Sequence, residues 1–267
     1  MVSEFLQQGH EVTATARNID HARTMPWYDQ VNFVTCDLHR TEPDPATLFG
    51  VPDILVHLAW PGLPNYKEQF HFEINLPADY RFLKNMIQAG TNHILITGTC
   101  FEYGMQNGPL SEGMFPLPAT SYGLAKDTLR KFLEALQRYH PFLLQWLRLF
   151  YLYGPGQNPA SLIAQLDRSI DNGEPVFNMS GGEQLRDYLP IQEAARRIGF
   201  LVNNPQCNGI INCCSGRPVS VRRLVENLLH ERGADLQLNL GYYPYPDHEP
   251  MAFWGDSHKL DDCMTLC

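Results

Sequence analysis

Apolar positions along the chain fall into short runs separated by polar, turn-rich stretches. Near-continuous apolar runs at 12–16, 31–35, 54–59, 93–97 and 143–149 read as β-strands. Helical periodicity covers 73–89 and 125–139, and 2–8 reads as the end of a helix closed by Gly9. Strands that alternate with helices pair in parallel, because a parallel neighbour needs a crossover. Strands with little alternation have both faces covered. The predicted fold class is therefore α/β, a doubly wound parallel sheet.

The pattern loosens after Gly154, where Gly154-Pro155-Gly156, Asn172-Gly173, Gly181-Gly182 and the proline-rich stretch 244–250 punctuate shorter elements. This divides the chain into a sheet domain over 1–153 and a smaller mixed α/β region over 154–267, some of whose elements return to the main sheet. The second region lies against the carboxyl edge of the strands, where folds of this class bind ligands. Such a sheet normally opens with a strand, a glycine-rich turn and a helix. Here the pattern begins inside that helix, so the opening strand and turn are expected to be missing.

Composition narrows the choices. The chain has 267 residues, 44% hydrophobic and 18% charged, the balance of a folded globular protein. A net charge of -9 argues against nucleic acid, whose binding needs a basic surface. It leaves room for a diphosphate held by a local Arg or a helix N-terminus. Seven cysteines without C-x-x-C spacing read as reduced, mostly buried thiols. Ten His without ligand spacing predict no metal. No segment reads as a signal peptide or a membrane span, and a cytoplasmic protein is expected.

The candidate chemistry sits at Thr99, Tyr122 and Lys126. Thr99 follows the apolar strand 93–97, which places its hydroxyl at the sheet's carboxyl edge. Tyr122 and Lys126 lie four apart, on one face of a helix. A phenol normally titrates near pH ~10. An ammonium nearby is expected to lower that value and make the phenol a working acid or base. A second Tyr-x-x-x-Lys match, Tyr80 and Lys84, reads as structural. Cys100 reads as a packed small hydrophobe rather than an acid. Tyr242, Tyr243 and Trp254 read as core aromatics rather than a cap for a nucleotide base.

These segments together resemble the extended short-chain dehydrogenase/reductase family, the NAD(P)-dependent sugar-nucleotide epimerases and dehydratases with a Rossmann-like sheet. Thr97-Gly98-Thr99-Cys100-Phe101-Glu102-Tyr103-Gly104 resembles the family's strand-end segment, and Ser121-Tyr122-Gly123-Leu124-Ala125-Lys126 its catalytic helix start. The run 148–157, with Tyr151, resembles the strand and loop that enter the substrate region. Arg186-Asp187-Tyr188 resembles the segment whose Arg meets the diphosphate, and Asp256 and Lys259 resemble a late Asp-x-x-Lys segment before a closing helix. The resemblance implies that Asp37 and Leu38 meet the adenine, and that Leu58 and Ala59 run past the nicotinamide ribose beside Tyr122 and Lys126. At the end of the second family strand, Arg17 stands where NAD-specific members carry an acid, which tilts the expected cofactor from NAD toward NADP.

The family's dehydratases carry an Asp-Glu pair directly after the catalytic Thr. This chain has Cys100-Phe101 there, with Glu102 displaced. The expected reaction is oxidoreduction at C4 of a nucleoside-diphosphate sugar, by a 4-epimerase or a 4-ketoreductase. Thr99, Tyr151 and Arg186 would meet the substrate, and helices flanking the sheet would allow a homodimer. The rival expectations are an inactive fragment or pseudoenzyme without the glycine turn, and a sugar-nucleotide 4,6-dehydratase relative.

Overall fold

In the computed structural model, residues 1–40 and 44–266 are described. The first half alternates helix and strand: α1 (Val2–Gln7), β1 (Thr13–Ala16), α2 (Ile19–Arg23), β2 (Asn32–Thr35), α3 (Pro45–Phe49), β3 (Ile54–His57), α4 (Leu76–Ala89), β4 (His93–Thr99), β5 (Gly108–Leu110), α5 (Ser121–Leu136) and β6 (Leu143–Leu149). The second half adds β7 (Tyr151–Tyr153), α6 (Leu162–Asp171), β8 (Val176–Asn178), β9 (Leu185–Pro190), α7 (Ile191–Asn203), β10 (Gly209–Cys213), β11 (Pro218–Ser220), α8 (Val221–Arg232), β12 (Gln237–Asn239), β13 (Phe253–Gly255) and α9 (His258–Leu266).

Parallel strands form the main layer in two pieces, a four-stranded sheet ordered β10-β6-β4-β3 and a pair β1-β2. No ladder joins β1 to β3 among the described residues. Strand β10 comes from the second half of the chain and lies beside β6 in the main sheet. The other described strands pair in three small sheets, β11-β9-β7, β12-β8 and β13-β5.

The two-residue repeat of β4 decides which side chains go to which face. Ile94 and Ile96 pack with Phe82, Leu83, Met86, Leu129 and Leu133 of α4 and α5. Leu95 turns the other way, to Leu147, Ile211 and the Ala194, Ile198 and Leu201 face of α7. Each large apolar side chain so buried contributes about 1.5–3 kcal/mol, so β4, buried along its whole length, is the anchor of the fold. Strand β6 pairs with β4 from His93 opposite Leu143 to Thr99 opposite Leu149, which sets the height of both carboxyl ends.

Three expectations need correcting. The helix predicted from 125 starts at Ser121, because the Thr120 side chain accepts the Gly123 N–H and caps it there. Cys207 and Cys263 form a disulfide that ties α9 to the turn before β10, their Cα atoms 6.2 Å apart. They are therefore not reduced thiols. Cys36, Cys100, Cys213 and Cys214 are free, and Cys267 lies outside the described residues. The predicted strand end at Leu58 and Ala59 is cut back to His57, leaving both residues in the following loop. Tyr80 packs edge-on against Phe132 of α5, a structural contact. No described helix is long and apolar enough to cross a membrane.

Candidate active site

Thr99 is the last residue of β4, and a turn of 3-10 helix over Cys100–Tyr103 follows it. The Thr99 hydroxyl accepts the Phe101 N–H at 3.3 Å, while Glu102 reaches back to accept the Thr99 N–H at 2.9 Å. This reciprocal cap holds the strand end rigidly. Helix α5 comes in close because Gly123 carries no side chain; a Cβ there would meet the Phe101 carbonyl oxygen at 2.5 Å. The Tyr122 N–H donates to the Tyr66 carbonyl at 3.0 Å, which fixes the first turn against the loop after β3.

This docking places the Tyr122 phenol beside the Thr99 side chain. Tyr122 is buried, and burial pushes its phenol well above the usual range, with the neighbouring Thr99 side chain pulling partly back. Lys126, one helical turn on, donates to the Thr97 carbonyl at 2.8 Å and lies 4.1 Å above the Trp60 ring. Burial lowers its ammonium to about 8, against the opposing pull of Asp79 and Glu102. The expected electrostatics are thus corrected. The leading influences on the phenol are burial and Thr99, and the ammonium is aimed at the strand backbone.

A collar of rings surrounds Tyr122 that the sequence reading did not single out. Centroids of His71, Tyr66, Trp60 and Phe101 lie 5.4, 5.8, 6.0 and 6.2 Å from that of Tyr122. The Trp60 indole N–H donates to His71 Nδ1 at 3.0 Å, so His71 carries its proton on Nε2 and donates to the Asn65 carbonyl at 3.0 Å. Burial keeps that imidazole below its ordinary pKa, hence neutral. The signal for this collar was the loop Trp60-Pro61-Gly62-Leu63-Pro64 shortly after β3, whose indole meets Tyr122 only in space.

On the substrate side, Arg186 is 2% exposed. Its Nε and Nη2 donate to Glu249 Oε2 at 3.1 and 2.8 Å, and its Nη1 donates to the Leu185 and Met251 carbonyls at 2.8 and 3.3 Å. The guanidinium lies 6.0 Å from the Tyr151 ring and 4.5 Å from Phe253. Glu249 was not anticipated; it is 63 residues away in the chain and gives no local pattern. Cys100 is buried against Tyr103, Leu110, Phe150 and Phe253, and burial holds its thiol protonated. Glu102 is absent from the site. It is fully buried and accepts from Trp146 Nε1 at 2.9 Å and Arg148 Nε at 2.7 Å.

The residues expected to hold a dinucleotide lie at or just beyond the carboxyl ends of β1, β2 and β3. Arg17 is exposed, Asp37 accepts the His39 N–H at 3.1 Å, Leu38 packs on the α4–α5 core, and Leu58 and Ala59 are exposed. Lys126 uses one of its three N–H bonds on Thr97, and the remaining donors suit ribose hydroxyls. The residues fit a nicotinamide ribose, and no described residue is assigned to the pyrophosphate. Tyr242 and Tyr243, expected in the core, are 58% and 52% exposed and pack on each other. They sit next to the segment 244–248, which faces 64–68 across an open cleft of about 650 Å³.

Known proteins share this architecture. The chain is 28% identical over 257 residues to dTDP-6-deoxy-L-talose 4-dehydrogenase (NAD(+)) of Aggregatibacter actinomycetemcomitans, covering 96% of this chain and 94% of that protein. An uncharacterized UDP-glucose epimerase of Bacillus subtilis is 25% identical over 240 residues, 87% of this chain and 72% of its own length. Among solved structures, UDP-glucuronic acid 4-epimerase from Bacillus cereus in complex with UDP-glucuronic acid and NAD superposes with a TM-score of 0.84 at 20% identity, covering 100% of this chain and 88% of that one. MoeE5 in complex with UDP-glucose and NAD gives 0.82 at 23% identity, covering 98% and 86%. Residues 1–214 match the NAD dependent epimerase/dehydratase family, and the chain belongs to that family of enzymes.

Proposed function

We propose that this enzyme carries out oxidoreduction at C4 of a nucleoside-diphosphate hexose, as a 4-epimerase or a 4-ketoreductase. The observation that carries the reading is the convergence of Thr99, at the end of β4, with buried Tyr122 and Lys126 on the first turns of α5 at the sheet's carboxyl edge. A bound nicotinamide would supply or accept the hydride. Tyr122, held protonated by burial, is the acid that delivers a proton to a C4 ketone oxygen in the reductive direction, and its phenolate is the base that takes the C4 hydroxyl proton in the oxidative one. Thr99, at the neighbouring strand end, orients the oxygen. Lys126 holds the ribose with the donors that Thr97 leaves free. Arg186 keeps one Nη2 hydrogen for the diphosphate, and Tyr151 walls the sugar on the same side.

Dehydration is not part of the proposal. Cys100 follows Thr99 directly, and Glu102 is consumed by Arg148 and Trp146 in the core. For the cofactor, the exposed Arg17 after β1, which has no acidic partner among the described contacts, supports NADP over NAD. The test is Tyr122→Phe, assayed by nicotinamide absorbance on a panel of UDP- and dTDP-hexoses and their 4-keto forms. We expect kcat to fall by about 100-fold or more with sugar-nucleotide affinity retained. Unchanged turnover would refute the assignment.

A second reading, an inactive family member without a working cofactor site, is favoured by the absence, among the described residues, of a ladder between β1 and β3. Fluorescence titration with NADH and NADPH separates the two, since the active reading requires saturable binding of at least one.

A further inference from the structure

The loop between β3 and α4 is tied on one side to the helix that carries Tyr122 and Lys126, and on the other to a buried turn. Toward α5, the Tyr66 carbonyl accepts the Tyr122 N–H at 3.0 Å and the Lys67 carbonyl accepts the Ser121 hydroxyl at 2.9 Å. Behind the loop, a turn of π-helix over His71–Asn75 leads into α4, and both of its end residues are buried. Single turns of π-helix are rare and occur frequently at functional sites. Asn75 Nδ2 donates to the Pro61 carbonyl at 2.9 Å. His71 takes both ends of the stretch between: Nδ1 accepts the Trp60 indole N–H at 3.0 Å, and Nε2 donates to the Asn65 carbonyl at 3.0 Å.

Trp60 is what this clamp holds. Its plane lies 16° from that of the imidazole, so the in-plane lone pair of Nδ1 meets the indole hydrogen. With that edge fixed, the indole turns its face to the Lys126 ammonium, 4.1 Å from the ring centroid. The Trp60 and His71 rings stand 6.0 and 5.4 Å from that of Tyr122. Neither ring exchanges a proton or a hydride in the reaction proposed above. Both touch the two groups whose placement that reaction depends on, and a displacement of about 1 Å in such groups can cost about 100-fold in rate.

Resting on the oxidoreductase reading above, we propose that His71 is a positioning residue for Tyr122 and Lys126: its imidazole, bonded at both nitrogens, locks the Trp60 indole as the wall that fixes the ammonium and keeps water from the phenol.

The test uses the full chain, with dTDP-4-dehydro-6-deoxyglucose and NADH or NADPH as one probe and UDP-glucose with NAD or NADP as the other. His71→Phe keeps a ring but loses both hydrogen bonds, and kcat should fall at least about tenfold while the KM for the sugar nucleotide stays within about twofold. Trp60→Phe removes the same bond from its other end. It should fall alike, and the double variant should be within about twofold of either single one. His71→Gln can accept through Oε1 and donate through Nε2, and should return kcat to within about threefold of the parent. Without any substrate, the Trp60 indole resonance in nitrogen-15 NMR, assigned by its loss in Trp60→Phe, should exchange with solvent at least about tenfold faster in His71→Phe than in the parent. Should His71→Phe fold poorly, Trp60→Phe and His71→Gln carry the kinetic comparison. Parent-like kcat in His71→Phe or Trp60→Phe, losses that multiply in the double variant, no recovery in His71→Gln, or indole exchange indifferent to His71→Phe overturns the proposal. Parent-like turnover by Tyr122→Phe, or none by the parent, sinks the oxidoreductase reading and this proposal with it. An inactive Tyr122→Phe beside an unimpaired His71→Phe sinks the proposal alone.

Discussion

Glu102→Gln should be among the most damaging single changes in this protein, although the residue touches no ligand. Its carboxylate is fully buried and accepts from the Thr99 N–H at 2.9 Å, from the Trp146 indole at 2.9 and 3.2 Å, and from Arg148 Nε at 2.7 Å. Arg148 is equally buried. Its Nη1 and Nη2 have no hydrogen-bond partner, and the guanidinium lies 4.3 Å over the Tyr103 ring. Glu102 is thus the one carboxylate paired with that charge among the described residues. Gln keeps the shape and one acceptor oxygen but loses the charge, and its amide group must point at another N–H. Breaking one side of a buried ion pair costs about 3–5 kcal/mol, a large share of a total stability of about 5–15 kcal/mol. At about 2–4 °C per kcal/mol for a chain of this size, the melting temperature should fall by roughly 6–20 °C. Scanning calorimetry or circular dichroism at neutral pH reads this directly. The double variant Glu102→Gln/Arg148→Met removes the stranded charge as well and should recover much of the loss. A single variant within about 2 °C of the parent, or a double variant no better than the single, would refute the reasoning.

Other perturbations test separate parts of the structure. Because burial lowers Lys126 from 10.5 to about 8, the folded chain binds fewer protons than the unfolded one between those values. Its contribution to stability is therefore full above pH 10.5 and lost as pH falls to about 8. Denaturant midpoints of the parent relative to Lys126→Met should rise across that window and run parallel below it. Gly98→Ala should unfold the chain or abolish expression of soluble protein, since a Cβ there collides with the Trp146 indole and the Glu102 carboxylate; a parent-like melt would contradict that packing. Arg17→Ala should weaken NADPH binding by about tenfold and leave NADH within about twofold, measured by fluorescence titration. Lys67→Ala breaks an exposed pair and should change stability by less than about 1 kcal/mol in chemical denaturation.

Much of this protein was legible in its residue order. The apolar run of β4, the limits of β6 at Leu143 and Leu149, and the return of strand–helix alternation follow from periods of two and 3.6 residues, which the backbone imposes locally. The spacing of Tyr122 and Lys126 and the strand-end place of Thr99 are local in the same sense. Even the missed start of α5 carried its signal in Thr120, a capping residue one position ahead of Ser121. What the order of residues left open was everything that depends on distance through space. Glu249 meets Arg186 across 63 residues, Arg148 meets Glu102 across 46, and Cys207 meets Cys263 across 56. The protonation of Tyr122 likewise depends on how completely Trp60, Tyr66, His71 and Phe101 exclude water around it. Periodicity encodes which face a side chain takes. Desolvation and charge pairing belong to the assembled site, because both fall off within a few ångströms and no local pattern records which distant residue will arrive there.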